Sequence, residues 1–501
     1  MPISRPITFV VALVGAWMLS GLPLPSQWQT RYDDLRLAQC LLLILLVTAA
    51  AANPATLMAP LRSWSGRSLL VVLALGLWSA ARSALPHYAA IEVGTLAALA
   101  IGALQLRQGT ATAPSLARTA LLLLCCGPLA LGLQFIAAYA AAIAIGDAGS
   151  LSSAWDVFVY PRYFAKAATF ALPLLWLAAR TASSASPAAF SNSLRRIVPT
   201  ACTLAAVIIA SQLVASGGRG GVLALLVAAL IAAACFGRQG RRFAFEQLAV
   251  LASGAALWWL ISLADVPSAG GGLLRAGSSG RAALYRDAWT DFVSAPLLGI
   301  GPMLYAELGR HPLRSVAGPH SAPLQWLAEW GLPATLLLLA VIAASYRRAL
   351  RQLRAHAIGG GDASTGIALF AAITAALVHG LLANVANDPL SQTLLMLTIA
   401  WYPVSSANSA VRRNPSSRLQ SALRAAGRIA GCGLVVGVLA MAVRDGANCV
   451  GAGGDTRYFM SADETLYPRY WSQGIVPLEQ TCGVAATTPV GQGATRFKIG
   501  G

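Results

Sequence analysis

The chain has 501 residues, of which 57% are hydrophobic and only 11% are charged. A soluble protein of this length needs far more charge to cover its surface, so a soluble globular fold is excluded. The formal net charge of +18 is dispersed among apolar stretches, which argues against nucleic acid as a partner.

Apolar runs of about 17–25 residues recur along the chain, the length that crosses a hydrocarbon core roughly 30 Å thick. They are too long and too uniformly apolar for barrel strands, so the sequence predicts an all-α, polytopic membrane bundle of about 12–13 transmembrane helices. The first run lacks an A-x-A cleavage site and is therefore predicted to be a helix rather than a signal peptide. The predicted spans are 7–23, 36–52, 68–86, 88–105, 119–146, 164–180, 197–215, 219–236, 247–263, 321–345, 366–383, 388–404 and 426–443.

The basic residues predict the orientation of this bundle. With the N-terminus in the cytoplasm, the inner segments hold about 20 of the 36 basic residues, while Glu246 and Asp362 are the only acids there. The chain then divides into helices 1–9 (1–263), a long outer loop (264–320), helices 10–13 (321–443) and an outer tail (444–501). Cys449 and Cys482 both lie in this tail, on the predicted oxidising side. We expect a disulfide between them, with two free thiols as the alternative.

The outer loop breaks the hydrophobic pattern and concentrates cations and imidazoles. Helical spacing over 281–292 places Arg281 and Trp289 on nearly the same face and Arg286 on another. Gly299 and Gly301 then favour a tight turn whose backbone lies close to another group. The loop as a whole predicts chemistry on an anionic, membrane-held substrate, although its arginines could also contact lipid headgroups. Its basic residues are Arg275, Arg281, Arg286, Arg310, His311, Arg314 and His320.

His320 stands directly before the tenth span, at its predicted outer mouth. A histidine there can take a proton from a hydroxyl group, because its ordinary pKa lies near neutrality. The alternative is an interfacial histidine that bonds a carbonyl or a headgroup. Position alone does not separate the two.

Arg219 lies between two pairs of glycines, in SGGRGGVL, where a helix begins. A helix N-terminus and a guanidinium both favour an anion, so we expect phosphate binding here unless a carboxylate pairs with the arginine. Arg162 and Lys166 either join the same cationic pocket or extend to headgroups. Asp388 could pair with one of these cations, but Pro389 after it favours a helix cap.

The sequence contains no Walker loop, no HExxH, no CxxC and no outer carboxylates at metal-ligand spacing. We therefore expect no metal ion and no cofactor. The phosphates of an anionic substrate would be neutralised by arginines instead.

Taken together, these motifs resemble the O-antigen ligase family and its superfamily over roughly 155–404. The resemblance rests on the number of spans, the long loop before the tenth, and Arg162 and Arg219 in their settings. It also rests on two segments of the chain. The first contains Arg286, Trp289, Pro296, Gly299 and Gly301. The second contains His320, Ser321, Leu324, Gln325, Leu327, Glu329 and Gly331.

The resemblance implies a glycosyltransferase of the bacterial inner membrane with its active site facing the periplasm. It would move a glycan from undecaprenyl pyrophosphate to lipid A-core, a step in lipopolysaccharide biosynthesis. O-antigen polymerases and pilin oligosaccharyltransferases share the motifs, so the acceptor stays open. A transporter of lipid-linked glycans is a further alternative, and it would need charged residues near the membrane midplane, where only Glu92 and His379 are candidates.

The resemblance also implies roles for individual residues. Arg219, with Arg281 or Arg286, would bind the pyrophosphate, and Arg162 and Lys166 could add to that site. His320 would be the general base, with His311 as a less favoured alternative. Attack from the face opposite the pyrophosphate would invert the anomeric carbon.

Overall fold

The computed structural model describes residues 4–22, 31–52, 63–112, 114–145, 158, 161–184, 192–263, 281–307, 310, 317–402, 418–451 and 470–471. Of these, 4–5, 109–112, 114–118, 161–162, 194, 418–425 and 448–451 are described by their backbone alone. Over the described residues the chain forms 14 α-helices and no strand. They are α1 (Ser4–Ser20), α2 (Arg31–Ala52), α3 (Trp64–Arg82), α4 (Pro86–Thr112), α5 (Pro114–Ile145), α6 (Pro161–Ser184), α7 (Asn192–Ala215), α8 (Arg219–Cys235), α9 (Gly237–Ser262), α10 (Arg281–Ser294), α11 (Ala322–Ile358), α12 (Ser364–Gly380), α13 (Pro389–Trp401) and α14 (Arg418–Gly451).

These helices confirm the predicted all-α, polytopic membrane protein. Each predicted span overlaps one helix, and the remaining helix, α10, is the predicted loop helix. Eight helices are long and apolar enough to cross a membrane, and α1, α8 and α12 are shorter apolar helices. The largest difference is at α11, which continues to Ile358, well beyond the predicted end at residue 345.

The bundle joins helices that are consecutive in the sequence and helices that are far apart in it. Helix α6 packs against α7 and α12, α8 packs against α9 and α12, and α2 packs against α4 and α14. Contacts described below bring the starts of α2, α6, α8 and α13 together with the end of α12. We call this end of the bundle the site end.

Small residues allow close packing where helices cross. A Cβ built on Gly132 would lie 3.0 Å from the Cβ of Ala205, and one on Gly254 would lie 2.5 Å from the Cβ of Ala210. In a membrane, close backbone approach of this kind replaces the hydrophobic driving force that holds soluble helices together. Helix α7 is therefore fixed between α5 and α9.

Helix α11 is broken at Gly331, whose φ of 75° and ψ of 175° are not helical. Pro333 follows and has no N–H to donate, so the break leaves backbone carbonyls without helical partners. Two such carbonyls, those of Ala328 and Glu329, are in the turn just before the break. The segment 296–301 satisfies them, as described next.

The tight turn predicted at Gly299 and Gly301 packs against the break in α11. The N–H of Ile300 donates to the Ala328 carbonyl at 2.9 Å, and the N–H of Gly301 donates to the Glu329 carbonyl at 3.1 Å. Gly299 has a φ of 72°, and a Cβ there would overlap the Glu329 backbone. The group that the turn approaches is therefore α11 itself, which fixes the loop to the helix that begins after His320.

Candidate functional site

His320 is held in an unusual backbone conformation at the start of α11. Its φ of 56° is in the left-handed region, which is rare for a residue with a side chain. Gly318 and Pro319 before it are buried, and Ser321 after it is the N-cap residue of α11. The imidazole itself is partly exposed. A strained, over-determined backbone with an accessible side chain is common at functional sites.

One turn into α11, Gln325 pairs with Asn387 from the segment between α12 and α13. Asn387 Nδ2 donates to Gln325 Oε1 at 2.9 Å, and Gln325 Nε2 lies 3.3 Å from Asn387 Oδ1. Gln325 Nε2 also donates to Glu329 Oε2 at 3.0 Å. Glu329 is fully buried, and its other carboxylate oxygen accepts from the N–H of Tyr305 at 3.2 Å. This network joins the helix of His320 to two neighbouring segments.

Arg36 supports the same segment from α2, although it is almost completely buried. Its Nη2 donates to the carbonyl of Asn387 at 2.6 Å, and its Nε donates to the carbonyl of Tyr470 at 2.8 Å. Its guanidinium also lies 4.4 Å from the centroid of the Tyr470 ring. Burial raises the pKa of the Tyr470 phenol, so this ring stays neutral beside the arginine.

The cations predicted for a phosphate site meet at the site end. Lys166 is buried, its Nζ lies 3.5 Å from the centroid of the Tyr163 ring, and the charge of Asp388 acts on it. Lys166 and Arg281 both act electrostatically on His379 in the last turn of α12. Gly220, the residue after Arg219, packs against the same histidine.

Asp388 has the capping role that its sequence favoured. Its Oδ2 accepts from the N–H of Ser391 at 3.1 Å and from the Ser391 hydroxyl at 2.7 Å, at the start of α13. Its charge also acts on Lys166, and pairing with a cation stays a prediction. Lys166, Arg219 and Arg281 therefore share this region with Asp388.

The two arginines of helix α10, Arg281 and Arg286, differ in their exposure. Leu284, Ala288 and Asp291 form its buried face, which packs against α11. Arg281 is half-buried near His379, whereas Arg286 is exposed. Trp289 is 54% exposed, whereas the small Ala288 belongs to the face that packs against α11.

Arg310 forms ion pairs with two neighbouring carboxylates. It donates to Glu307 Oε2 at 2.7 Å and to Asp291 Oδ1 at 3.3 Å, which links the loop to α10. Other predicted positions lie outside the described residues: Arg275, His311, Arg314, Cys482, and the side chains of Arg162 and Cys449. Within the described part of the chain, no group of three or more His, Cys, Asp or Glu side chains is placed to hold a metal ion.

Sequence reasoning missed Arg36 and Asn387 and placed His379 wrongly. His379 is not near the middle of its helix but in its last turn, among the cations of the site end. The signal for Arg36 was present, since an arginine at the edge of an apolar span needs partners or a function. Those partners are 351 and 434 residues away in the sequence, at Asn387 and Tyr470.

The fold defines a multi-pass membrane protein, and several cations lie at one end of its bundle. A comparison with known families narrows the class of protein. Residues 204–339 match the family model described as O-Antigen ligase, a segment that contains Arg219, Arg281, Arg286 and His320. The match supports assignment of the chain to the O-antigen ligase family, as the resemblance predicted, and with it a lipid-linked glycan ligase or polymerase kind of activity. No curated protein matches the chain.

Proposed function

We propose that the protein is an O-antigen ligase. It transfers a glycan from undecaprenyl pyrophosphate to lipid A-core, with its site end facing the periplasm of the inner membrane. The observation that carries this proposal is the meeting of Lys166, Arg281 and the Arg219 turn at the end of the bundle where His320 begins α11. Glycan transfer needs cations to bind the lipid pyrophosphate and a nearby base to take the proton of the acceptor hydroxyl.

The chemistry requires charge stabilisation on one side of the bond that breaks. When the glycosidic C–O bond breaks, its electron pair goes to the pyrophosphate oxygen. Arginines and a lysine in a partly buried setting stabilise that growing charge. Arg219 and Arg281 supply guanidinium groups, which suit phosphate oxygens, and no side chain caps the start of α8, where the N–H groups of Gly220 and Gly221 point towards the helix start.

On the other side, the acceptor hydroxyl must lose its proton as its oxygen attacks the anomeric carbon. His320 takes that proton in this proposal, a contribution of about 10²–10⁴-fold in rate. The attack comes from the face opposite the pyrophosphate, so the product has the inverted anomeric configuration. The left-handed backbone of His320 and the Gln325–Asn387 amide pair support the position of this residue in the proposal.

The test is glycan transfer by purified protein in lipid, with undecaprenyl-pyrophosphate glycan as donor and lipid A-core as acceptor. We expect product that forms equally well with EDTA and disappears in His320→Ala. His356→Ala is the matched control, because His356 is an exposed histidine on α11 that bonds the Asp362 carbonyl. Loss of product with EDTA would refute metal independence, and full activity of His320→Ala would refute the base.

The same assay separates the related activities. A folded wild-type protein that elongates a lipid-linked glycan, but does not modify lipid A-core, is a polymerase. Transfer to a pilin peptide indicates an oligosaccharyltransferase. Movement of the donor across vesicles without any new glycosidic bond indicates a transporter.

A further inference from the structure

Two residues of the tail, Tyr470 and Trp471, are buried inside the bundle, with 6% and 4% of their surfaces exposed. The Trp471 ring packs on Gly446 of α14, where an added Cβ would lie 2.6 Å from the nearest ring atom. The Tyr470 hydroxyl lies 3.0 Å from the Thr95 hydroxyl on α4 and 3.4 Å from the Cys40 sulfur on α2. The tail is therefore anchored among three helices by two large side chains.

Arg36 of α2 connects this anchor to the rest of the bundle. Its guanidinium has five N–H donors, which are matched by five acceptors, and none of these five is a carboxylate. A buried cation that is held by neutral groups depends on every one of them, because a lost acceptor leaves a charged donor in apolar surroundings. The acceptors are the main-chain carbonyls of Tyr470 and Asn387, the Tyr32 hydroxyl and the side-chain carbonyls of Gln39 and Gln392.

Asn387 continues the path from Arg36 to the helix of His320. Its main-chain carbonyl accepts from Arg36, and its side-chain amide pairs with Gln325 in the first turns of α11. His320 directly precedes the N-cap residue of that helix. Three successive contacts therefore connect Tyr470 to α11, namely those of Tyr470 with Arg36, of Arg36 with Asn387 and of Asn387 with Gln325.

We propose that Tyr470 is a positioning residue for glycan transfer, which holds Arg36 and, through Arg36 and Asn387, the start of α11 at His320. The role of His320 in this inference rests on the proposed function. Tyr470 holds the guanidinium with its carbonyl and also with its ring, whose centroid lies 4.4 Å away. Trp471 keeps Tyr470 in place because it fills the space beside Gly446.

A matched pair of glycine substitutions on α14 tests the anchor without changing the tail. A Cβ at Gly446 meets the Trp471 ring, whereas a Cβ at Gly437 has nothing within 4 Å. Alanine favours a helix over glycine at both positions, so α14 should form in both variants. We expect Gly446→Ala to speed amide hydrogen exchange at 384–388 and 320–326 roughly 10-fold in the full-length protein. Gly437→Ala should exchange as wild type does.

A second pair of variants tests Tyr470 itself. Tyr470→Ala removes the ring from Arg36, whereas Tyr470→Phe keeps the ring and loses only the hydroxyl contacts. We expect kcat of Tyr470→Ala to fall about 10- to 100-fold with the donor KM within about twofold, because the base is displaced and the donor is not. Tyr470→Phe should keep most of kcat. Added to Asn387→Ala, the alanine substitution should lower kcat little further, since both break one path.

A merely structural role of the tail would lower the unfolding temperature and leave kcat of the folded protein unchanged. Unchanged kcat in Tyr470→Ala would therefore overturn the inference, and so would equal losses in the alanine and phenylalanine variants. Wild-type exchange at 384–388 in both Gly446→Ala and Tyr470→Ala would overturn it as well. If exchange is faster in these variants but wild type transfers no glycan, the proposed function fails and the connection from the tail to α11 stands.

Discussion

Asn387 and Gln325 pair through their side-chain amides across 62 residues of sequence, at 2.9 and 3.3 Å. The pair fixes the first turn of α11, on which His320 stands, to the segment between α12 and α13. Arg36 holds the other side of the same segment through the Asn387 carbonyl. The position of the proposed base is therefore set by residues from three separate parts of the chain.

Asn387→Ala should lower the rate of glycan transfer while the donor KM changes little. The substitution leaves the Gln325 carbonyl without its partner in a buried site, at a cost of about 1–3 kcal/mol, and loosens the turn that carries His320. Steady-state kinetics at varied donor and acceptor concentrations measure the effect. Asn192→Ala, at an exposed position in the first turn of α7, is the control. Unchanged kcat in Asn387→Ala would show that the amide pair does not position the base.

Arg36→Ala should lower the unfolding temperature more than any other single arginine substitution tested. Arg36 donates hydrogen bonds to Tyr32, Gln39, Asn387, Gln392 and Tyr470, all lost in the variant. Removing one partner from a buried charged network costs about 3–5 kcal/mol. Thermal unfolding in detergent measures this loss. Arg238→Ala, at an exposed position, should unfold as wild type does, and equal behaviour of the two variants would contradict the prediction.

The helices could be predicted from the sequence because each span is a local pattern. An apolar run of sufficient length has few structural options in lipid, so the predicted spans and α10 all have counterparts in the structure. Arg219 and His320 could be proposed as site residues because a glycine setting and a proline turn are local patterns as well.

The remaining site residues depend on contacts that no local pattern contains. Arg36 meets Asn387 and Tyr470 only after α2, α13 and the tail have packed together. Which face of α10 is buried, that of Leu284, Ala288 and Asp291, depends on its packing against α11. His379 required knowledge of where α12 ends.

Gly331→Ala should separate the loop from α11 and reduce transfer strongly. A Cβ at Gly331 would overlap the Leu297 carbonyl, and the φ of 75° is unfavourable for alanine. Gly360→Ala is a matched control with a φ of 85° and open space around it, so it reports the conformational cost alone. We expect Gly331→Ala to lose both stability and activity, with Gly360→Ala losing at most about 1 kcal/mol of stability. Equal effects in the two variants would argue against a tight contact between loop and helix.

Arg281→Ala should raise the donor KM much more than Arg286→Ala does. The two arginines lie on the same short helix, but Arg281 is half-buried near His379 and Lys166, whereas Arg286 is exposed. A charge-assisted hydrogen bond to phosphate contributes about 1.5–3 kcal/mol, so the loss at Arg281 corresponds to roughly 10- to 100-fold in KM. Measuring KM for the lipid pyrophosphate donor in both variants shows which arginine contributes more to donor binding. The reverse order would mean that α10 turns its other face to the donor during the reaction, and it would move the pyrophosphate site away from His379.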